Sequence, residues 1–396
     1  MDGAVLDTFV KSIKNFFSKT DKILWLLTII AVAYSMLLIS SMQRTSDYNY
    51  LQSQIIAVVL GYVAAITISV IDYEYLLKAW LTFSIIGIIL LVIVLFIGIN
   101  VAGTDDTAWI SLPGGFSFQP SEIVKIIFII TFSKHLQVLN SNGKIHSLIG
   151  VISLVLHFSV PVILVHMQGD DGTALVFVFM FVIMMFVGGV QARYFLIMLL
   201  LTLTAIPLIW NYILNDEHKN RFKAIFDIDG NAMTNYGWQQ YQGKISIASG
   251  GLKGYGLGNG ARVASGIVPE QENDFILTVA GEELGFIGCI LLLTILLLIL
   301  IKIIINASIS RDDVGKFLCI GVFSMIATQT VINVGMVLGL IPVIGITLPF
   351  FSSGGTSILS VLLGIGIVQS VYTHKDTIEP TGVLRNNKYK YTQNIY

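Results

Sequence analysis

The sequence predicts an all-α polytopic membrane protein, with ten transmembrane helices and a large structured extracellular loop between spans 7 and 8. Three observations predict it. Hydrophobic residues make up 55% of the chain and charged ones 12%, with a mean hydropathy of +0.81. Apolar runs recur at about 20 residues, the length that crosses ~30 Å of hydrocarbon. The basic residues gather in alternate loops, as the positive-inside rule requires.

Residues 1–22 read as a cytoplasmic segment carrying Lys11, Lys14, Lys19 and Lys22. The apolar run that follows is too long for a signal peptide and lacks a small-residue cleavage site, so it is the first span. The membrane domain covers 23–373, with spans expected at 23–42, 51–71, 76–99, 120–139, 148–168, 172–190, 194–214, 274–304, 315–340 and 354–373. Of the 23 basic residues, 15 fall on the side of the N-terminus, whereas the opposite short loops carry only Arg44. Both termini, including the tail 374–396, are therefore expected in the cytoplasm. Cys289 and Cys319 lie inside spans, where they read as packing residues.

The connection 215–273 is far longer than a usual loop. Phe222, Ile225, Phe226, Ile228, Trp238, Tyr241, Ile245 and Ile247 give it apolar groups to bury, which argues for a folded cap. Within it, Ser249 to Gly260 contains six glycines. Successive N–H groups in such a loop can cradle an anion, although a plain turn explains the glycines equally well. Lys244, Lys253 and Arg262 flank the glycines and could hold a diphosphate. No βαβ unit surrounds the loop and no Walker A sequence occurs, which argues against dinucleotide binding and ATP hydrolysis.

Five carboxylates, Glu270, Glu272, Asp274, Glu282 and Glu283, follow within 14 residues at the threshold of span 8. Asp274 directly precedes Phe275-Ile276-Leu277. An apolar neighbourhood raises a carboxyl pKa and suits Asp274 to general-base work, while a helix N-cap is the bland alternative. At span 4, Glu122 and Lys125 are spaced to pair on one helix face, either bracing the helix or meeting a substrate. Asp170 and Asp171 read as loop carboxylates or a cap for span 6, with a metal or substrate role open to them. Ile341 to Gly355 is an uncharged, proline-broken segment that could line a groove for a lipid chain. The histidines do not cluster, and His135 and His146 are expected to be solvated on the cytoplasmic side.

Gln119 to Lys125 (QPSEIVK), DDGTAL, KISIASGGLKGYGLGNG, PEQENDFILTVAGEELGFIG and LPFFSSGGTSILSVLLGIGI resemble, in order and spacing, the motifs of the SEDS proteins, the RodA, FtsW and SpoVE group. The resemblance covers nearly the whole chain. It implies a peptidoglycan glycosyltransferase of ten helices that polymerises lipid II at the outer face of the bacterial cytoplasmic membrane. It also implies a class B penicillin-binding protein as transpeptidase partner, within the elongation or division machinery, and an undecaprenyl diphosphate-linked glycan as co-substrate. Nucleic acid is not an expected partner. The family's essential acidic residue aligns with Asp274, in Glu272-Asn273-Asp274-Phe275-Ile276-Leu277. The chain departs from the family in Glu272, where a His is usual, in Asn273, in Ala108 and in a residue missing before Gly172. The sequence requires no cofactor, although a divalent cation (Mg or Mn) could assist Lys244, Lys253 and Arg262 at the leaving group. The surroundings of Arg221, Phe222, Phe226 and Asp227 lean towards the RodA type. The rival reading is a transporter of a lipid-linked sugar gated by Glu122 and Lys125, but no internal repeat supports it. A scaffold that only recruits a transpeptidase is a third.

Overall fold

A computed structural model describes residues 18–42, 50–100, 106–112, 116–213, 216–226 and 237–376. Lys11, Lys14, Arg44, Asp227, Ile228 and nearly all of the tail 374–396 lie outside the described residues. The regular structure of the described residues is helical apart from a two-stranded antiparallel hairpin, β1 (Ile110–Leu112) and β2 (Phe116–Phe118). In order the helices are α1 (Lys22–Met42), α2 (Tyr50–Val70), α3 (Tyr73–Lys78), α4 (Trp80–Ile97), α5 (Pro120–Ser141), α6 (Leu148–Met167) and α7 (Asp171–Val187). They continue as α8 (Ala192–Leu208), α9 (Asp216–Phe226), α10 (Trp238–Ser249), α11 (Ala261–Ser265), α12 (Ile276–Ser308), α13 (Asp313–Val337) and α14 (Gly355–Thr373).

Each of the ten expected spans is occupied by a helix, with boundaries shifted by a few residues. Among the described residues, eight helices are long and apolar enough to cross a membrane. One of the eight is α8 together with the π-helical turn Ile209–Ile213 that continues it; the two expected spans outside the eight are α7, with 17 residues, and α5, which carries Glu122, Lys125 and Lys134. The third expected span begins later than its hydropathy suggests. Asp72 caps α3 by accepting the Glu74 N–H at 3.0 Å, and the chain breaks at Ala79 before α4 starts. The described parts of 215–273 hold α9, α10 and α11.

Helices α13, α14 and α5 form the centre of the bundle, with α2 packed on α14, α7 on α13, and α12 on both α13 and α1. The centre is apolar but contains amides and hydroxyls that tie the helix ends together. At one end, Asp21 exchanges two 2.9 Å hydrogen bonds with Gln369 and pairs with Lys302 at 2.9 Å. Arg311 binds both Asp72 and Glu74 and lies over the Tyr73 ring, joining the α2–α3 turn to the α12–α13 turn. Both cysteines are buried and unpaired by disulfide, as expected of packing residues.

His135 departs from its expected setting. It is half-buried between α5 and α6, with its Nδ1 3.1 Å from Nδ1 of His157 and its Nε2 3.2 Å from Ser153 Oγ. The segment 341–354 also differs from the sequence reading. Ile346, Leu348, Phe350 and Phe351 are core residues, so this stretch plugs the bundle instead of lining an open groove. Part of its backbone is paired inside the protein, the Gln240 amide donating to the Ile341 carbonyl, the Asn333 amide to the Ile346 carbonyl and the Leu348 N–H to Ser352 Oγ, as irregular chain at membrane depth requires.

Candidate active site

Asp274 sits two residues before α12, where Phe275 and Ile276 are fully buried and anchor the helix start. Polar groups from three directions fix its backbone. From α13, the Asn333 amide donates to the Asp274 carbonyl and to the Ile346 carbonyl, both at 2.7 Å. From the plug, Ser352 Oγ donates to the Asn273 carbonyl and the Ser353 N–H to the Glu272 carbonyl, both at 2.7 Å. The 270–275 turn closes on itself, with the Phe275 N–H and Asn273 N–H both donating to the Glu270 carbonyl at 3.1 Å. These bonds hold the main chain and leave the Asp274 carboxyl without a hydrogen-bond partner among the described residues.

The Asp274 carboxyl is pushed up to about 7, first by burial and then by the charges of Glu270, Asp170 and Glu272. A carboxyl raised this far from its ordinary range is suited to accept a proton near neutral pH. Glu270 is raised by burial too, although Asn273 donates to it at 2.7 Å. Glu272 accepts the Tyr50 hydroxyl at 2.6 Å and so ties the start of α2 to this turn.

Opposite Asp274 stand the starts of α5 and α7. Asp170 caps α7, accepting the Thr173 N–H at 2.9 Å, and its other oxygen accepts the Gln119 amide at 2.8 Å and Ser121 Oγ at 3.4 Å. Gly172 admits the plug: a Cβ there would lie 2.3 Å from the Ile344 carbonyl oxygen. Glu122 and Lys125 pair at 2.7 Å, and Ser360 Oγ donates to the second Glu122 oxygen at 2.7 Å. Both charges are sealed from solvent, Lys125 at 1% exposure and Glu122 at 4%.

The FtsW/RodA/SpoVE family model, described as a cell cycle protein, matches residues 19–377. The chain belongs to this family. An FtsW of Geobacter metallireducens, described as a probable peptidoglycan glycosyltransferase, is 32% identical, covering 87% of this chain and 90% of its own. The peptidoglycan glycosyltransferase MrdB of Escherichia coli K12 is 30% identical over 91% of this chain and 96% of its own. The crystal structure of the rod shape determining protein RodA of Thermus thermophilus matches with a TM-score of 0.67 at 26% identity, covering 91% of this chain and 98% of its own. A chain from a peptidoglycan synthase complex that coordinates polymerization and crosslinking gives a TM-score of 0.76 at 24% identity, over 91% and 99% of the two chains, a likeness of fold.

In this FtsW/RodA/SpoVE-family chain, the three flanking cations are not brought together. α10 runs beside the first turns of α12, and a Cβ on Gly243 would meet Phe275 and Thr278 at 3.1 Å. Lys244 is therefore near the level of Asp274; it is exposed, with its Nζ against Gly339 and no ion pair among the described residues. Lys253 is exposed beside Gly254, which packs on Glu283 and Leu284. At 1.5 Å per residue, that is about 15 Å along α12 from Asp274. Arg262 is committed to α10, with Nε donating to Ser246 at 2.9 Å and a terminal nitrogen to the Gln242 carbonyl and side chain.

One N–H of the glycine loop, and one just beyond it in α11, meet carboxylates of the protein itself. The Gly258 N–H donates to Glu283 Oε1 at 3.1 Å and the Arg262 N–H to Glu282 Oε1 at 2.7 Å. Sequence reasoning passed over Asn333, Ser352, Gln119 and Tyr50. A lone amide inside an apolar span, as at Asn333, was a usable signal. Hydroxyls such as Ser352 and Tyr50 carry none until the fold brings them to the turn. Among the described residues, no three carboxylate, imidazole or thiol side chains are grouped to hold a metal ion.

Proposed function

We propose that the chain is a peptidoglycan glycosyltransferase that polymerises lipid II at the outer face of the bacterial cytoplasmic membrane, with Asp274 as general base. The observation that carries this reading is the Asp274 carboxyl, held at a bundle end by its backbone alone and raised to about 7. The relatives FtsW and MrdB, described as a probable peptidoglycan glycosyltransferase and a peptidoglycan glycosyltransferase, support it.

In this reading Asp274 takes the proton of the 4-hydroxyl of the acceptor sugar as its oxygen attacks the anomeric carbon of the glycan. The bond from that carbon to the undecaprenyl diphosphate breaks with inversion, and the diphosphate carries away the electron pair. Of the three flanking cations, Lys244, exposed on the helix that runs beside the first turns of α12, is the one we assign to the developing charge. Glu122 and Lys125 act as a brace, because buried charges that satisfy each other have little to offer a substrate. An apolar groove of about 190 Å³, lined by Val124, Ile127 and Phe128 below that brace and by Trp80 and Leu91 of α4, offers the polyprenyl tail a berth open to lipid. The termini lie in the cytoplasm, and the partner is a class B penicillin-binding protein that crosslinks the product.

The transport reading is tested against this one in proteoliposomes holding the chain, its class B partner and fluorescent lipid II. Glycan ladders on a denaturing gel are expected. Lipid II that becomes protected from an external quencher with no ladder would replace polymerisation by translocation.

A further inference from the structure

Helix α12 is broken. Gly285 has φ 70° and ψ −164°, a conformation that is essentially confined to glycine, so 276–284 and 286–308 are two helical pieces. The break leaves main-chain groups without helical partners, and the glycine-rich loop takes them up. Phe286 N–H donates to the Gly251 carbonyl at 2.9 Å and Ile287 N–H to the Leu252 carbonyl at 3.2 Å. In return, the Tyr255 N–H donates to the Glu282 carbonyl at 3.1 Å and the Gly256 N–H to the Glu283 carbonyl at 2.8 Å. The two side chains complete the set through Arg262 N–H and Gly258 N–H.

Both carboxylates are 1% exposed, a costly place for a charge. Glu283 accepts the Gly258 N–H and Glu282 the Arg262 N–H, and these backbone groups help to hold the two buried carboxylates in place. The space admits little else, since a Cβ on Gly254 would lie 2.2 Å from the Glu283 carbonyl oxygen and one on Gly260 3.0 Å from Glu282 Oε1. The short piece 276–284 thus has one end at Asp274 and the other in this clasp. A tilt of the piece at Gly285 would displace Asp274, whose carboxyl has no hydrogen bond of its own among the described residues to correct it.

We infer that Glu283, clasped by the glycine-rich loop at the Gly285 break, is a positioning residue that sets the orientation of helix 276–284 and through it the place of Asp274. The inference rests on Asp274 being the base. It assigns the glycine-rich loop to holding the catalytic piece rather than to binding the substrate's diphosphate.

The test compares Glu283→Ala, Glu283→Gln and wild type, each full-length with its class B partner in lipid nanodiscs. Glu283→Ala is expected to lose kcat about 10- to 100-fold per folded molecule, with KM for lipid II changed less than about threefold, because misplacement of a base costs rate more than binding. Glu283→Gln, which keeps an oxygen for the Gly258 N–H, is expected to recover most of that rate. Hydrogen exchange reports the same device without activity: in Glu283→Ala, peptides spanning 250–260 and 270–284 should both exchange faster. Faster exchange in 250–260 alone, or a raised KM with kcat intact, overturns the inference while leaving Asp274 as the base. Absence of polymer from wild type, with the coupled exchange present, would instead sink the glycosyltransferase reading and leave the clasp standing.

Discussion

Taking the wild-type protein from about pH 8 to about pH 6 is expected to slow polymerisation about tenfold at subsaturating lipid II, with the limb centred near 7. Only the ionised carboxylate can accept the hydroxyl proton. Its raised value has burial as its main cause, with Glu270, Asp170 and Glu272 opposing a fourth negative charge. Glu272→Gln removes one of those charges and should move the limb to lower pH. The same shift has a stability counterpart of definite sign. The folded state holds the Asp274 proton more tightly than the unfolded chain, so its contribution is fully present below the ordinary carboxylate range and is lost as pH rises through about 7. Asp274→Asn should therefore raise Tm at pH 8, and that gain should vanish in acid. A site kept at the expense of stability is what a working base in a half-buried position requires.

The second large effect is expected at the brace. Lys125→Met should destabilise the fold by about 3–5 kcal/mol, because it leaves Glu122 charged, buried and without its cation. Against a typical total of about 5–15 kcal/mol, that is enough to cut the yield of folded protein severely. Ser360 still donates to Glu122 at 2.7 Å, but one hydroxyl does not replace an ammonium at the same distance. The double variant Glu122→Gln with Lys125→Met should recover most of the loss, since removing both charges removes the desolvation cost along with the attraction. Tm and detergent-extracted yield measure both. A double variant as unstable as the single one would mean that Lys125 acts through contacts other than Glu122.

Much of this was legible in the sequence, because the membrane imposes a strong code. Runs of about 20 apolar residues placed helices at all ten expected positions. Asp274 was legible as a carboxylate before an apolar run, and Glu122 and Lys125 as a pair by their spacing. Hydropathy could not show the break at Ala79, which depends on Asp72 capping a short helix. Nor could it show that 341–354 is a plug, since uncharged chain with two prolines looks the same whether it lines a groove or fills one. What the glycine-rich loop holds was not legible for a related reason. Glycines announce that N–H groups will approach an anion but not which anion, and here Glu282 and Glu283 are contributed by the helix that the loop embraces. The His135–His157 contact needed the rotation of α5 against α6, and no spacing within one helix encodes it.

The most direct test of the central claim is polymer formed from purified labelled lipid II by wild type and by Asp274→Asn, each reconstituted with the class B partner. Asn keeps the size of the side chain and removes the base, so the folded variant should lose at least about 100-fold in rate, in line with general-base contributions of about 10²–10⁴. Ladders from wild type and none from a variant of equal or higher Tm are the predicted result. Equal ladders from both would contradict it and take the base away from Asp274.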